Sequence, residues 1–199
     1  MRNYKEKLDE NFHHFLELQK IMEYYGFPEG GGSYMMDGQT SEYCSLMFDK
    51  QELLFNTSIN SEKILEVGVY AGHSCFIMLL ANENSTIDAI DPGYPFTEPC
   101  VKYLNKNFND RINYIPGLSH EELPKLSNGV YDLIHIDGMH DPEYIRNEME
   151  ICLSLKKDVC VLVVDDINIA IQGMNIILPK LKLRSIPDCI YPNAVYDFI

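Results

Sequence analysis

From Glu62 onward, apolar strand patterns alternate with amphipathic helix patterns, and this alternation constrains the fold more than any other feature of the chain. Because strand–helix–strand crossovers are right-handed, five such units in succession predict a parallel, doubly wound α/β sheet. The expected strands are 63–69, 85–91, 112–116, 131–137 and 159–166. The expected helices are 73–82, 97–107, 119–126, 142–155 and 169–180.

The last part of the chain predicts two further strands. Leu183 to Ile190 and Asn193 to Ile199, joined by Tyr191-Pro192, have the pattern of a hairpin, and Pro187 indicates an edge position or a bulge. We therefore expect a Rossmann-like, seven-stranded, doubly wound sheet that is mainly parallel and has one antiparallel edge strand.

Residues 1–60 predict helices. Apolar residues recur every three to four positions from Tyr4 to Tyr25, and Gly26 and Pro28 end this pattern. Gly30-Gly31-Gly32 then begins a glycine-rich stretch whose role the sequence does not reveal. After it, Thr40 or Ser41 is expected to cap a helix that runs through Leu54, with these residues inward: Leu46, Met47, Leu53 and Leu54. We expect a helical lid and substrate segment over 1–60 and a cofactor-binding domain over 61–199, forming one domain overall.

The first strand passes into a helix through a loop that begins at Gly68 and ends at Gly72. Glycine lets the backbone approach a ligand, and free N–H groups at a helix N-terminus attract an anionic group. The G-x-x-x-G spacing differs from the G-x-G-x-x-G of dinucleotide enzymes, and Glu66 precedes it. A tight turn that permits close helix packing is the purely structural alternative.

Three carboxylates follow two apolar strands. Asp137 ends one strand, and Asp165 and Asp166 end another. In a parallel sheet these strand ends meet at one edge, so we expect the three side chains to converge beside the glycine loop. Carboxylates crowded together repel unless a cation lies among them, and oxygen ligands suit Mg²⁺. The pattern therefore predicts a metal site, although Asp also favours helix caps and turns.

With these residues in view, the chain resembles class I S-adenosylmethionine-dependent methyltransferases, because E-x-G-x-x-x-G-x-S over Glu66 to Ser74 is similar to their motif I. Asp137-x-x-His140 and the Asp165-Asp166 pair resemble the metal-dependent O-methyltransferases of the catechol O-methyltransferase type. The likeness is closest to the branch that acts on hydroxyls of sugars and glycosylated natural products. It runs from about Glu62 to Gly173 and includes Gly117-Leu118-Ser119-His120, which resembles the adenine-contacting turn.

The resemblance implies S-adenosyl-L-methionine and Mg²⁺, or another divalent cation, as cofactors. It implies that Ser74 binds the methionine carboxylate, that Tyr70 forms a wall of the pocket, and that Glu66 contacts the cofactor's amino end or braces the turn. Asp91, about 20 residues beyond the loop, is expected to accept the ribose hydroxyls. The other implied cofactor residues are Gly68, Gly72, Ser119, His120 and Asp137, and the implied metal ligands are Asp137, Asp165 and Asp166.

His140 matches the position of the catalytic base in these relatives, and Asp137 is the second implied catalytic residue. A neutral histidine accepts a proton from a hydroxyl near pH 7. Structural alternatives stay open: His140 as a helix-start residue, Asp91 as a turn residue before Pro92-Gly93, and Ser119 as an N-cap. His135, inside a strand, is interpreted as a core histidine rather than a ligand.

The chain departs from the family pattern in two informative places. Asp166 stands where catechol enzymes have Asn, and no later acidic residue matches the one that helps those enzymes hold a second hydroxyl. We therefore favour a sugar or glycoside hydroxyl over a phenol. The alternatives are a catalytically inactive S-adenosylmethionine-binding protein or a regulatory partner of another methyltransferase. An NAD enzyme is disfavoured because G-x-G-x-x-G is missing.

The net charge of −14 disfavours nucleic acid as a partner, because phosphate backbones would be repelled over most of the surface. The longest apolar runs are far shorter than the ~20 residues that span a bilayer. We expect a cytoplasmic enzyme of a small-molecule hydroxyl substrate with no membrane partner. A homo-oligomer stays open, since the sequence does not show whether the first helix packs on its own subunit.

Overall fold

The structure is a computed structural model that describes residues 3–26 and 33–199. Gly30-Gly31-Gly32 therefore lies outside the described residues. Within them, seven strands form one sheet. The strands are β1 (Lys63–Val67), β2 (Thr86–Asp91), β3 (Ile112–Pro116), β4 (Tyr131–Ile136), β5 (Lys156–Val164), β6 (Leu181–Ser185) and β7 (Ala194–Phe198). The helices are α1 (Tyr4–Tyr25), α2 (Phe48–Ser58), α3 (His73–Ala81), α4 (Thr97–Asn107), α5 (Ser119–Glu122), α6 (Pro142–Leu155) and α7 (Ile167–Ala170).

The strand order is β3-β2-β1-β4-β5-β7-β6, and the first five strands are parallel. The predicted doubly wound, seven-stranded fold is thus confirmed. The single antiparallel strand, β7, pairs with β5 on one side and with the edge strand β6 on the other. The order reverses between β1 and β4, whose carboxyl ends therefore open a crevice.

The central strands are buried because helices cover both faces of the sheet. On β1 and β4, register pairs Glu66 with His135 and Val67 with Ile136, which brings the loops after both strands side by side. One buried apolar cluster lies on the face covered by α1 to α4, and a second lies beneath α6 and α7. These two layers fix the position of the loops at the carboxyl edge.

The predicted helix 169–180 is wrong in extent. Helix α7 spans Ile167–Ala170, and a 3₁₀ turn at Leu178–Lys180 follows after irregular turns. Gly173 interrupts the helix and packs so closely on α6 that a Cβ there would lie 2.7 Å from the Pro142 carbonyl oxygen. Helix 119–126 is likewise divided into α5 and a 3₁₀ turn that contains Pro124, which lacks an N–H donor.

Helix α1 has the predicted bounds, and its apolar residues Leu8, Phe15, Leu18 and Met22 are buried. The second helix was predicted from residue 40 or 41 to Leu54, whereas α2 spans Phe48–Ser58 and follows a 3₁₀ turn at Ser45–Met47. Leu46, expected inward, is 69% exposed. The cause is the turn, which shifts the helical phase so that other residues face the core.

The N-terminal helices share one core with the sheet. Tyr4, Phe15 and Leu54 belong to the same buried cluster as Phe76 and Leu80 of α3. Among the described residues, no helix combines the length and apolar character required to cross a bilayer. A lid role for 1–60 stays a prediction.

Candidate active site

A cleft of about 550 Å³ lies at the carboxyl edge of the sheet, between the loops that follow β1, β2, β4 and β5 and the segment around α2. Predicted site residues in its wall are Gly68, Tyr70, Ser74, Asp91, Ser119, Asp137, His140, Asp165 and Asp166. Three predicted cofactor residues, all in the described part of the chain, lie outside this wall: Glu66, Gly72 and His120.

The loop after β1 requires glycine because another loop packs closely against it. Gly68 has φ +93°, and a Cβ there would lie 2.0 Å from the backbone oxygen of Asp137. Its absent side chain thus lets the β1 loop approach the β4 loop, and approach to a ligand stays a prediction. Tyr70, a non-glycine residue, has φ 49°, and Gly72 caps α3 with φ +76°. Such backbone strain persists where surrounding groups hold it in place.

The carboxylate of Asp91 holds the loop after β1 in this conformation. Its Oδ2 accepts hydrogen bonds from the N–H groups of Val69 at 2.7 Å and Tyr70 at 2.9 Å, and its Oδ1 accepts from Gly93 at 2.6 Å. A carboxylate has about four acceptor positions, so three bonds leave room for one more donor. The carboxylate therefore fixes the loop and also faces the cleft.

Glu66 lies beneath the loop, fully buried, where it accepts a short hydrogen bond from the Ser74 hydroxyl. Its other oxygen lies 2.6 Å from Nδ1 of His135. Burial raises the pKa of Glu66, and both partners partly oppose this shift. Of the two roles left open by the sequence, this position matches bracing of the turn.

The buried chain of polar groups continues into the N-terminal segment. His135 Nε2 lies 2.8 Å from the hydroxyl of Tyr34, which also accepts from the Asn193 amide at 2.9 Å. As interpreted from the sequence, His135 is a fully buried core histidine with both ring nitrogens bonded. Tyr34 thus links residues before the sheet to the floor of the cleft.

A lysine lies within the acidic cluster. The ammonium of Lys50, on α2, is 2.9 Å from each carboxylate oxygen of Asp165, and the two side chains are 1% and 5% exposed. Burial lowers the pKa of Lys50, but Asp165 and Asp137 raise it by more, so the net shift is upward. Burial and then the neighbouring Asp165 raise the pKa of both Asp137 and Asp166. The Lys50 ammonium therefore offsets part of the negative charge of the cluster.

His140 lies between two of the aspartates. Its Nδ1 is 3.7 Å from Asp166 Oδ2, and its Nε2 is 4.0 Å from Asp137 Oδ1. The Nε2 atom is buried and has no hydrogen-bond partner among the described residues. Asp166 itself has φ 45°, a strained conformation for a non-glycine residue. The structure thus brings together the histidine and the three aspartates that the sequence singled out.

A buried carboxylate in the cleft wall, beside Ser119, was not predicted from the sequence. Glu148, on α6, is 1% exposed and accepts a 2.5 Å hydrogen bond from Ser119, while its second oxygen has no partner among the described residues. Burial raises its pKa to about 7. His120 is 42% exposed and packs edge-on against Tyr144.

His73, at the first turn of α3, was also missed. Its Nδ1 is 2.6 Å from the Ser33 hydroxyl, and burial lowers its pKa to about 3, so the ring is neutral near pH 7. Helical spacing carried the signal for two of the missed residues. Lys50 follows Met47 by three positions and precedes Leu54 by four, and Glu148 follows Ile145 by three and precedes Cys152 by four. Both polar residues therefore lie on buried helix faces.

A sheet of this order with a ligand-sized cleft at its switch point is the arrangement in which many α/β domains bind nucleotide-like cofactors. A family profile described as a methyltransferase domain matches residues 65–167, which is more than half of the chain. The chain therefore belongs to the methyltransferase domain family. No curated protein sequence matches it significantly.

Solved structures share the fold at low sequence identity. The cofactor-bound protein Rv0187 from MTB has a TM-score of 0.71 and 18% identity, with 93% of this chain and 89% of that chain covered. The O-methyltransferase from Bacillus cereus in complex with SAH has a TM-score of 0.69 and 14% identity, with 94% and 91% covered. The O-methyltransferase TomG from Streptomyces achromogenes is in complex with SAM and is involved in tomaymycin synthesis. It has a TM-score of 0.68 and 15% identity, with 93% of this chain and 89% of that chain covered.

Proposed function

We propose that this protein is an S-adenosylmethionine-dependent O-methyltransferase that transfers a methyl group to a hydroxyl of a small polar molecule. One observation carries the proposal: a single cleft joins the Gly68 to Gly72 loop at one end with His140 and the aspartates at the other. The family membership and the cofactor complexes of the similar O-methyltransferases support it.

The cleft has the features that a nucleoside cofactor with an amino-acid tail requires. Its volume of about 550 Å³ is in the range of small-molecule sites. Asp91 retains an acceptor position for ribose, and Tyr70 and Ser119 line the wall where the nucleoside is proposed to bind. Ser74, in the first turn of α3, is proposed to bind the methionine carboxylate through its backbone N–H at the helix N-terminus, because its hydroxyl donates to Glu66. Glu148 Oε2 and His73 Nε2 are buried polar atoms in the same wall that still lack a partner among the described residues.

The bound cofactor supplies a sulfonium methyl carbon. His140 Nε2, unpaired within the described chain, accepts the proton of the acceptor hydroxyl. S-adenosylmethionine, when bound, would supply the methyl group to that oxygen and leave as the neutral thioether, with the electron pair of the broken bond on sulfur. Asp166, 3.7 Å from His140 Nδ1, stabilises the imidazolium that results. The proton leaves from His140 to solvent, so atoms and charges balance.

A divalent metal was the second cofactor implied by the resemblance. Tested against the donor set, the acidic cluster does not fit it, because the Lys50 ammonium already lies 2.9 Å from each oxygen of Asp165 and would repel a second cation there. Across residues 3–26 and 33–199, no three His, Cys, Asp or Glu side chains are arranged to hold a metal ion. No step of the proposed reaction is therefore assigned to a metal.

For the acceptor we propose a sugar or glycoside rather than a phenol. The acceptor end of the cleft presents carboxyl, imidazole and ammonium groups, which suit an acceptor with several hydroxyls. Asp166 adds a charged acceptor where catechol enzymes carry an amide.

We further propose that the segment before β1 covers this end of the cleft. The enzyme works in the cytoplasm as a monomer or homo-oligomer, and nucleic acids and membranes are not its partners.

The test begins with calorimetric titration of the full chain with S-adenosylmethionine. Saturable binding is expected, and its complete absence would overturn the proposal. Methyl transfer to a panel of glycosides and catechols is then measured by mass spectrometry.

His140→Ala is expected to bind the cofactor but to lose about 10²–10⁴-fold in turnover. His13→Ala, at an exposed histidine of α1, is the matched control and should retain full activity. Cofactor binding without transfer to any acceptor would favour the inactive binding protein instead.

A further inference from the structure

We propose that the ammonium of Lys50 is the resident cation of the acceptor site and takes the place of the divalent metal ion that the sequence predicts among these aspartates. Its role toward an acceptor hydroxyl rests on the proposed function. Its displacement of a metal rests on the geometry of the cluster alone.

The first observation is the position of the ammonium. Lys50 Nζ lies 2.9 Å from both oxygens of Asp165, a two-oxygen contact with a single cation. A metal ligated by Asp165 would need one of these same oxygens. The carboxylate keeps further lone pairs, but a metal ion bound to them would lie beside the buried ammonium, and two cations so close together repel. Binding of a metal is therefore disfavoured while the ammonium is in place.

The second observation is the way the lysine is held. Its side chain is 1% exposed, its ammonium lies 4.3 Å from the centre of the Tyr34 ring, and its backbone oxygen accepts from Asn193. Tyr34 and Asn193 are hydrogen-bonded to each other. A cation over an aromatic face gains an attraction to the ring, and its withdrawal would leave the buried Asp165 carboxylate without its counter-charge. The lysine is thus fixed from two sides as well as by its helix.

The third observation is charge balance. Asp137, Asp165 and Asp166 face Lys50 and His140 in one wall, so a cation is required somewhere among them. The sequence suggested that a metal would supply this charge. The structure supplies it from helix α2 instead, from a residue tethered to the chain and therefore present at every moment.

This arrangement defines what the lysine does for an acceptor. An ammonium carries three N–H donors, and its hydrogen bond to Asp165 Oδ2 leaves a donor for another acceptor. Lys50 lines the cleft, so that donor is available to the acceptor oxygen. A hydrogen bond from a cation holds this oxygen beside His140 and stabilises the negative charge that develops as its proton leaves.

The experiment is a Mn²⁺ titration of the full chain, in which the spin-resonance signal of free Mn²⁺ reports binding without any enzymatic activity. The wild-type protein is expected to show no saturable site that depends on Asp165. Lys50→Met removes the ammonium while keeping a long, buried side chain, and it should bind Mn²⁺ at least about tenfold more tightly than wild type. Adding Asp165→Asn to Lys50→Met should abolish the gain.

Lys63→Met is the matched control, because Lys63 also pairs with an aspartate, Asp88, at 2.7 Å but outside the cleft. It should not acquire a Mn²⁺ site. Circular dichroism establishes that each variant is folded.

Tight Mn²⁺ binding by the wild-type protein that Asp165→Asn abolishes would overturn the proposal, and so would a folded Lys50→Met that binds no better than wild type. If Lys50→Met does not fold, the wild-type titration with Asp165→Asn decides alone. Failure of S-adenosylmethionine to bind would overturn the proposed function, but the Mn²⁺ titrations could still be interpreted because they do not depend on the cofactor.

Discussion

The imidazole of His135 and the hydroxyl of Tyr34 are joined by a 2.8 Å hydrogen bond that no solvent reaches. One partner lies in the middle of β4, and the other lies in the segment before α2. Because the histidine also contacts Glu66, the bond connects the N-terminal segment to the residue that lies beneath the loop after β1.

We expect Tyr34→Phe to destabilise the protein, because it leaves the ring nitrogen of His135 and the amide of Asn193 buried without their partner. Loss of such a hydroxyl should lower the free energy of unfolding by about 1–3 kcal/mol. Urea denaturation followed by circular dichroism measures this quantity. Tyr24→Phe, at a residue that is 83% exposed, should stay within about 0.5 kcal/mol of wild type. Equal effects of the two changes would show that the bond contributes nothing specific.

Gly68→Ala tests the close approach of the β1 and β4 loops. The added Cβ would meet the Asp137 backbone oxygen at 2.0 Å, so we expect a loss of at least about 3 kcal/mol in unfolding free energy. Gly129→Ala is the matched control, since its φ is also positive, +69°, but no atom lies within 4 Å of the added group. It should cost about 1–2 kcal/mol from backbone conformation alone. A Gly68→Ala protein as stable as the control would contradict the described packing.

Asp91→Ala should loosen the Gly68 to Gly72 loop after β1. It removes the acceptor for the N–H groups of Val69, Tyr70 and Gly93, and Tyr70 is held at a strained φ. In hydrogen exchange, we expect the Val69 and Tyr70 amides to exchange at least about tenfold faster, the equivalent of 1.4 kcal/mol of protection. S-adenosylmethionine binding should weaken as well.

Asp158→Ala, at an exposed aspartate far from the loop, serves as the comparison and should leave both measurements unchanged. Unaltered amide exchange in Asp91→Ala would mean that other contacts fix the loop.

Glu148 should make stability depend on pH. In the folded protein burial raises its pKa to about 7, whereas the unfolded value is 4.5. Between these values the folded state binds more protons than the unfolded state, so the contribution to stability is present below pH 4.5 and is lost as pH rises through 7. We expect Glu148→Gln to gain about 2–3 kcal/mol relative to wild type between pH 5 and pH 8.

Thermal and urea denaturation at both pH values measure this gain. Glu150→Gln, on the exposed side of the same helix, should show no comparable change between the two pH values. A Glu148→Gln curve parallel to wild type would indicate that the buried carboxyl is ionised in both states.

The sequence predicts the fold well where apolar periodicity is strong. Helix α1 and the alternation from β1 to α6 follow from spacing alone, because each element buries one face or both. The helix expected over 169–180 fails because Gly173 packs against Pro142, a contact between residues far apart in the chain. The start of α2 is missed because the turn at Ser45–Met47 changes the helical phase.

Part of the candidate site can be predicted from the order of strands and helices. Parallel strand ends meet at one edge, so the approach of Asp137 to Asp165 follows from the sheet. Lys50 and Glu148 are missed because charged residues are assigned to the surface by default, and their partners come from other elements. The use of Asp91 as a clamp on backbone N–H groups is likewise set by the tertiary fold.

The placement of Tyr34 and Lys50 has a consequence for how such enzymes diverge. The segment before the sheet is where acceptor preference is expected to change, yet here it also supplies the charge that balances the aspartates and the hydroxyl beneath the cofactor loop. A relative that exchanged this segment would have to alter its cation at the same time. On the proposed role of this segment, a change of acceptor preference and a change of electrostatic balance would therefore have to occur together.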